Sequence, residues 1–112
     1  MVEVIVTDEF QDWYVDLNET DSGAVYEAVE ELKARGVVLG FPQSSAILGG
    51  RYALRELRIQ SQGGAIRVLY AFDPKRQAVL LMGADKTGDD RFYDWAVPKA
   101  ERLWEAYLEE TK

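Results

Sequence analysis

The segment Arg55–Lys86, RELRIQSQGGAIRVLYAFDPKRQAVLLMGADK, decides how the rest of this chain folds. Its Gly-Gly pair at 63–64 and its Asp-Pro pair at 73–74 are turn signals, so the segment predicts three consecutive antiparallel strands. The runs 66–72 and 78–82 are almost entirely apolar, which is typical of strands that are covered on both faces. The remaining segments are therefore expected to pack against this sheet.

Four charged side chains interrupt the segment: Glu56, Arg58, Arg67 and Lys86. Arg67 lies inside the most apolar strand, and a charged side chain taken from water must be paired or must face an opening. It is either a structural arginine paired with Asp85 or Glu56, or a functional arginine at an opening. Glu56 and Arg58 share one face of their strand, as a surface ion pair or as part of a site. Lys86 is a solvated turn lysine or a member of the same site.

The residues before this segment predict a strand and two helices. β-Branched side chains near the N terminus predict the first strand. Thr7 or Asp8 is the expected N-cap of a helix with one apolar face, and Asp21 or Ser22 is the expected N-cap of the next. Gly36 is expected to end the second helix, as the residue at which φ turns positive. The short connection between the two helices predicts an antiparallel hairpin.

A C-terminal helix is predicted by the apolar periodicity that follows the strands. Pro98 lies in its middle, so we expect a kink there or a restart with Pro98 near the first helical position. Trp13, Trp95 and Trp104 lie on apolar helical stripes and are expected in the core. A connector over residues 37–50 links the helical hairpin to the strands, and its apolar residues suggest that it packs on the core.

The predicted order of elements, β-α-α-β-β-β-α, defines an α+β fold with a four-stranded, mostly antiparallel sheet. The helical hairpin is expected to cover one face, and the connector and the C-terminal helix are expected to cover part of the other. With 112 residues, the chain is expected to form a single domain, residues 1–112, around its own core.

The composition excludes several kinds of site. The chain has no Cys and no His, so disulfides and thiolate chemistry are excluded and a zinc site is not expected. A hard-cation site made of carboxylates is the alternative that this composition leaves open, but no EF-hand-like spacing of Asp occurs, and we expect no metal and no cofactor. Any acid–base chemistry must come from carboxylates, Lys, Arg or Tyr. Neither a signal peptide nor a membrane span is visible, so a cytoplasmic protein without membrane contact is expected.

The charge of the chain is distributed unevenly. Its net charge of −7 argues against non-specific nucleic-acid binding by the whole surface. Residues 1–50 hold two basic and ten acidic side chains, whereas residues 51–91 hold eight basic and five acidic ones. The predicted sheet region is therefore locally basic, either as a solvated edge with ordinary surface pairs or as a site.

Three stretches resemble the HigB branch of the RelE/ParE superfamily of bacterial toxins, which includes phage-derived members. They are LRELRIQSQGGAIRVLYAFDP (54–74), LLMGADKTGDDRFYDW (80–95) and PKAERLWEAYL (98–108). The resemblance extends over nearly the whole chain and implies a RelE-like fold with the same order of elements. It also implies the toxin of a type II toxin–antitoxin module. Such a toxin is a metal-independent, ribosome-dependent endoribonuclease that cleaves the mRNA codon in the ribosomal A site and so inhibits translation.

The resemblance implies roles for three residues. Arg67 matches the arginine of the family's central-strand motif, which implies bidentate stabilisation of the scissile phosphate. Lys86 matches a basic position of the family, which implies a contact to the phosphate or protonation of the leaving group. Tyr93 matches a frequent aromatic position at which the ring stacks on or orients the base, and packing of the helix is its alternative role.

Cleavage by the ribose 2′-hydroxyl also requires a base for that hydroxyl. Glu56 is the candidate general base, and Arg58 is its partner or a second phosphate contact. Three further arginines are expected to contact RNA backbone phosphates around the rim of the site: Arg51, Arg55 and Arg91.

The resemblance also implies partners. These are the ribosome with its mRNA and a HigA-like antitoxin with a helix-turn-helix domain. DNA binding by the complex would come from that antitoxin, so we expect no direct DNA binding by this chain alone. Two alternatives stay open: a non-enzymatic ParE-like inhibitor of a protein target such as DNA gyrase, and a decayed toxin that acts only with its antitoxin.

Overall fold

The computed structural model describes residues 1–112 as one mixed β-sheet with three α-helices. The elements are β1 (Val4–Val6), α1 (Asp8–Val15), α2 (Glu19–Arg35), β2 (Ser44–Ala46), β3 (Arg55–Ser61), β4 (Gly64–Phe72), β5 (Ala78–Asp85) and α3 (Phe92–Thr111). A short 3₁₀ turn over Gly36–Val38 follows α2. None of the helices is long and apolar enough to cross a membrane.

The sheet has five strands in the order β1-β5-β4-β3-β2. β1 runs parallel to β5, and the other three pairings are antiparallel, so the predicted α+β class and the mostly antiparallel character are confirmed. The predicted number of four strands is wrong, because the connector contributes β2. This strand of three residues has no periodicity of its own. It forms by pairing with β3, and the buried Ser44 hydroxyl lies 2.6 Å from the Tyr70 hydroxyl.

Hydrophobic cores lie on both faces of the sheet. The core beneath α1 and α2 includes Phe10, Val25, Leu32, Leu57, Ile59, Val68, Tyr70 and Leu80. The core beneath α3 includes Leu54, Leu69, Val79, Leu81, Phe92, Ala96, Ala100 and Trp104. Since neighbouring residues of β4 and β5 point into different cores, the prediction that these strands are covered on both faces is confirmed.

The helical hairpin is held by side-chain and backbone caps. Thr7 caps α1, accepting from the Phe10 N–H at 3.3 Å while donating to the Leu80 carbonyl at 2.8 Å. The prediction of a cap at Asp21 or Ser22 is wrong, because Asn18 accepts from the Asp21 N–H at 2.8 Å and α2 begins at the next residue. Gly36 ends α2 with a φ of 58°, as predicted.

Helix α3 runs without interruption through Pro98, so of the two predicted alternatives the restart is wrong, and the kink stays a prediction. The exposed proline is tolerated because buried side chains on both sides of it, including Ala96 and Ala100, attach the helix to the sheet. Trp104 is buried, but the prediction that Trp95 belongs to the core is wrong. Its ring is 44% exposed and its indole N–H donates to the Asp89 carboxylate at 2.9 Å.

A polar contact attaches the end of α3 to the turn between β4 and β5. The buried Asp73 carboxylate accepts from the N–H groups of Lys75 and Gln77, both at 2.9 Å. It also accepts from the Tyr107 hydroxyl at 2.8 Å. Burial and this hydrogen bond raise the pKa of Tyr107 to about 12, so the phenol remains a donor at neutral pH. The predicted turn at Asp73-Pro74, between β4 and β5, is confirmed.

Gly83 of β5 lies directly beneath Trp13 of α1. A Cβ atom at this position would overlap the six-membered part of the indole ring. We expect Gly83→Ala to lower the free energy of unfolding by about 3 kcal/mol, because the ring or the whole helix must move. Urea denaturation tests this, with Gly23→Ala on α2 as the control, since a Cβ there has nothing within 4 Å. Equal stability of Gly83→Ala and wild type would contradict the packing.

Candidate functional site

A cluster of charged side chains occupies the α3 side of β3 and β4. Arg58 and Arg67 are directly opposite each other in the antiparallel register. Two like charges in such a pair repel each other and destabilise a sheet unless a counter-charge lies between them. Glu56 is two residues from Arg58 on the same face and provides that charge. The strand period of two places Glu56 and Arg58 on one face, as the sequence predicted, and the register between β3 and β4 brings Arg67 to them.

Glu56 is the centre of the cluster and is only 4% exposed. Its Oε1 accepts from the Tyr93 hydroxyl at 2.7 Å and lies 3.6 Å from Arg67 Nε. Its Oε2 accepts from the Ser45 hydroxyl at 3.0 Å and from Arg58 at 3.5 Å. Four groups from β2, β3, β4 and α3 thus converge on one carboxylate, and both of its oxygens are occupied.

Arg67 is 6% exposed and has unused hydrogen-bonding capacity. One terminal NH₂ group donates to the Ile66 carbonyl at 3.1 Å, whereas the buried Nε has no hydrogen-bond partner. Of the two partners considered from the sequence, Glu56 is the one that faces Arg67. Asp85 instead accepts from Thr87, and these hydrogen bonds lower the pKa of Asp85. Two guanidinium groups therefore share a single carboxylate, which leaves the cluster with an excess of positive charge.

The two arginines border an open depression of about 370 Å³. Its lining residues come from the connector, β3 and β4: Pro42, Gln43, Arg58, Gln60, Ala65 and Arg67. Lys86 follows β5 beside this depression, and its backbone N–H donates to the Ala65 carbonyl at 2.7 Å. Its ammonium group lies 5.9 Å from the centre of the Tyr93 ring. The depression thus offers cations and amides to a ligand.

Tyr93, in the first turn of α3, connects Lys86 to the buried cluster. Burial raises the pKa of its phenol, and the hydrogen bond to Glu56 raises it further, while Arg67 partly offsets both. The folded state therefore favours the neutral phenol. The stabilisation that the neutral Tyr93 phenol provides is fully present below the pKa of an unfolded tyrosine, about 10. It is lost as the pH rises through the higher pKa of Tyr93 in the folded protein.

We expect Tyr93→Phe to lower the free energy of unfolding by about 1.5 kcal/mol at pH 7, because a buried carboxylate loses a donor. The difference in stability from wild type should shrink above pH 10, where the phenol of the unfolded wild-type chain ionises and wild type loses stability. Urea denaturation at several pH values measures both effects. Tyr26→Phe is the control, since that ring is 58% exposed on α2. A constant difference from pH 7 to pH 11 would contradict the assignment.

The structure does not bring the three predicted rim arginines into the cluster. Arg55 points to the opposite face of the sheet, where it donates to the Ser44 hydroxyl at 3.2 Å. Arg51 is exposed and forms an ion pair with Glu105 at 3.2 Å. Arg91 is exposed at the start of α3. Their contact with RNA stays a prediction. Arg55 lies on the opposite face because it is the neighbour of Glu56 in β3, and successive side chains of a strand alternate between the two faces.

Sequence reasoning missed two features of this site. Ser45 has no signal in the sequence, because it reaches Glu56 only through the unpredicted strand β2. Phe41 lies beside Arg58, whose guanidinium carbon is 5.2 Å from the ring centre. The apolar residues of the connector were expected to pack on the core, but Phe41 is 76% exposed. An aromatic residue flanked by Gly40 and Pro42 was the signal that could have identified it. No three carboxylates are grouped so that they could hold a metal ion.

Comparisons with known proteins show which family the chain belongs to. The family described as phage-derived Gp49-like proteins matches residues 12–105. The Mycobacterium tuberculosis protein named "Putative toxin HigB3" is 36% identical over 107 residues, which covers 94% of this chain and 92% of that protein. The "Putative toxin HigB2" of the same organism is 35% identical over 106 residues, but the match covers only 53% of its length. The chain therefore belongs to the Gp49-like family of phage-derived toxins, which confirms the HigB resemblance found in its sequence.

Proposed function

We propose that this chain is the toxin of a type II toxin–antitoxin module and cleaves mRNA codons in the ribosomal A site. The observation that carries the proposal is the pair of opposed arginines, Arg58 and Arg67, which share one carboxylate. Lys86 lies over the ring of Tyr93, whose hydroxyl contacts the same carboxylate. In an acidic protein, such a local excess of positive charge fits an anion. A phosphodiester is an anion whose oxygens can accept from guanidinium forks. The names of the relatives support a toxin rather than another phosphate-binding protein.

The proposed reaction needs no metal or cofactor. The ribose 2′-oxygen bonds to the adjacent phosphorus, the bond to the 5′-oxygen breaks, and a 2′,3′-cyclic phosphate and a 5′-hydroxyl result. Arg67 and Arg58 stabilise the negative charge that develops on the phosphoryl oxygens. Lys86 holds the phosphate or gives a proton to the leaving 5′-oxygen. Tyr93 orients the adjacent base at the edge of the site.

Glu56 receives a positioning role in this proposal instead of the general-base role expected from the sequence. Its side chain is almost fully buried, and both oxygens already accept hydrogen bonds. A substrate hydroxyl could reach it only by displacing Tyr93 or Ser45. Glu56 therefore fixes the directions of the two arginines and of Tyr93, and the proton of the 2′-hydroxyl leaves through water in the open depression.

The proposal includes the partners and the compartment that such a toxin requires. It would act in the cytoplasm on ribosomes and would be silenced by a HigA-like antitoxin with a helix-turn-helix domain. Any binding of operator DNA would then come from the antitoxin. A mobility-shift experiment with the isolated chain should accordingly show no specific DNA complex at physiological salt.

Primer extension on a defined mRNA, with and without programmed 70S ribosomes, tests the proposed activity. We expect cuts that appear only with ribosomes and map to the A-site codon. Cuts without ribosomes would contradict the ribosome dependence, and no cuts under either condition would contradict the nuclease. A gyrase supercoiling assay would then separate the ParE-like inhibitor from the decayed toxin, since only the inhibitor blocks supercoiling.

A further inference from the structure

Phe41 is an exposed aromatic residue at the rim of the charged depression. Its side chain is 76% exposed, whereas Phe10 and Phe92 are buried in the two cores. The connector around it is fixed by backbone hydrogen bonds from Ser44 to Gly40 at 3.0 Å and from Arg58 to Gln43 at 2.8 Å. The ring is therefore presented to solvent from a segment that is attached to β3.

The neighbours of Phe41 belong to the proposed phosphate site. Pro42 and Gln43, the next two residues, line the depression together with Arg58 and Arg67. The Arg58 guanidinium covers part of one face of the ring, with 5.2 Å between its carbon and the ring centre. Arg58 thus contacts both Phe41 and the Glu56 carboxylate, which joins the apolar ring to the cationic cluster.

We propose that Phe41 stacks on a nucleobase of the RNA whose phosphate is held by Arg58 and Arg67. Single-stranded RNA is bound by aromatic side chains that stack on unpaired bases while cations contact the backbone. A base between Phe41 and Arg58 would need a gap of about 7 Å, twice a van der Waals contact. The base therefore stacks on the outer face of the ring, opposite Arg58. This inference rests on the proposed RNA cleavage and adds a residue that binds the substrate.

Cleavage on programmed ribosomes tests the stack. Phe41→Ala is expected to lower the cleavage rate about tenfold when the protein is subsaturating. This loss corresponds to the lower part of the range for removing one base–aromatic stack. Phe41→Tyr keeps the ring and should stay within about twofold of wild type. Tyr26→Ala is the control, because that ring is exposed on α2, across the sheet from the site. Thermal melting checks that each variant is folded.

A second measurement is the affinity for a 2′-O-methyl hexaribonucleotide of mixed sequence, which cannot be cleaved. Phe41→Ala should weaken binding without changing its salt dependence, because the phosphate contacts remain. Arg67→Ala should reduce the salt dependence.

The possible outcomes separate the two proposals. If wild type and Phe41→Ala cleave at the same rate, the stacking role is overturned while the nuclease stands. Phe41 is then left as a contact for a protein. If wild type binds the oligonucleotide, Phe41→Ala does not, and wild type cleaves no mRNA, the stack is supported and the nuclease is contradicted. If wild type neither cleaves the mRNA nor binds the oligonucleotide, both proposals are overturned.

Discussion

Arg67→Ala is expected to slow A-site cleavage by about 100- to 1,000-fold, the range for removal of one preorganised donor to a developing oxyanion. The large effect follows from the position of Arg67. Its guanidinium is held by the Ile66 carbonyl and by Glu56, and Arg67 lines the depression bordered by β3, β4 and the connector. Ribosome-programmed primer extension, quantified over time at equal concentrations of folded protein, measures the change.

Two further variants make this result specific. Arg67→Lys keeps the charge but loses the planar fork, so we expect a rate between those of wild type and Arg67→Ala. Arg35→Ala removes an exposed arginine of α2, whose partner is Glu31, and should cleave as wild type does. A folded Arg67→Ala protein that cleaves at the wild-type rate would overturn the proposed role of the cluster.

Glu56→Gln is expected to lower the free energy of unfolding by about 3 kcal/mol. The substitution removes the carboxylate that Arg58 and Arg67 share, and breaking a buried ion pair by removing one partner leaves an uncompensated charge. The loss is large relative to the total stability of about 5–15 kcal/mol that is typical of a single domain. Urea denaturation followed by circular dichroism measures it.

The control for this experiment is Glu31→Gln, which removes an exposed carboxylate paired with Arg35 within α2. Its effect should stay within about 0.5 kcal/mol. The double variant Glu56→Gln, Arg67→Met should be no less stable than Glu56→Gln alone, since the unpaired buried cation is also gone. Additive losses in the double variant would show that the pair is not coupled.

Much of the scaffold followed from local patterns in the sequence. The apolar runs of β4 and β5 predicted strands covered on both faces, and Thr7 and Gly36 marked the ends of helices correctly. These signals are local because caps, turns and periodicity depend on neighbouring residues. The missed strand β2 has no such signal, since three residues without periodicity become a strand only when β3 pairs with them.

The sequence by itself determined the family, the α+β class and the shared face of Glu56 and Arg58, because a strand period of two needs no tertiary information. Only the tertiary structure decided that Arg67 faces Glu56 and not Asp85, that Ser45 reaches Glu56 and that Phe41 lies against Arg58. Each of these depends on the register between strands or on the path of a loop. A slip of one residue in pairing moves a side chain to the other face, so packing, and not composition, assembles the charged site.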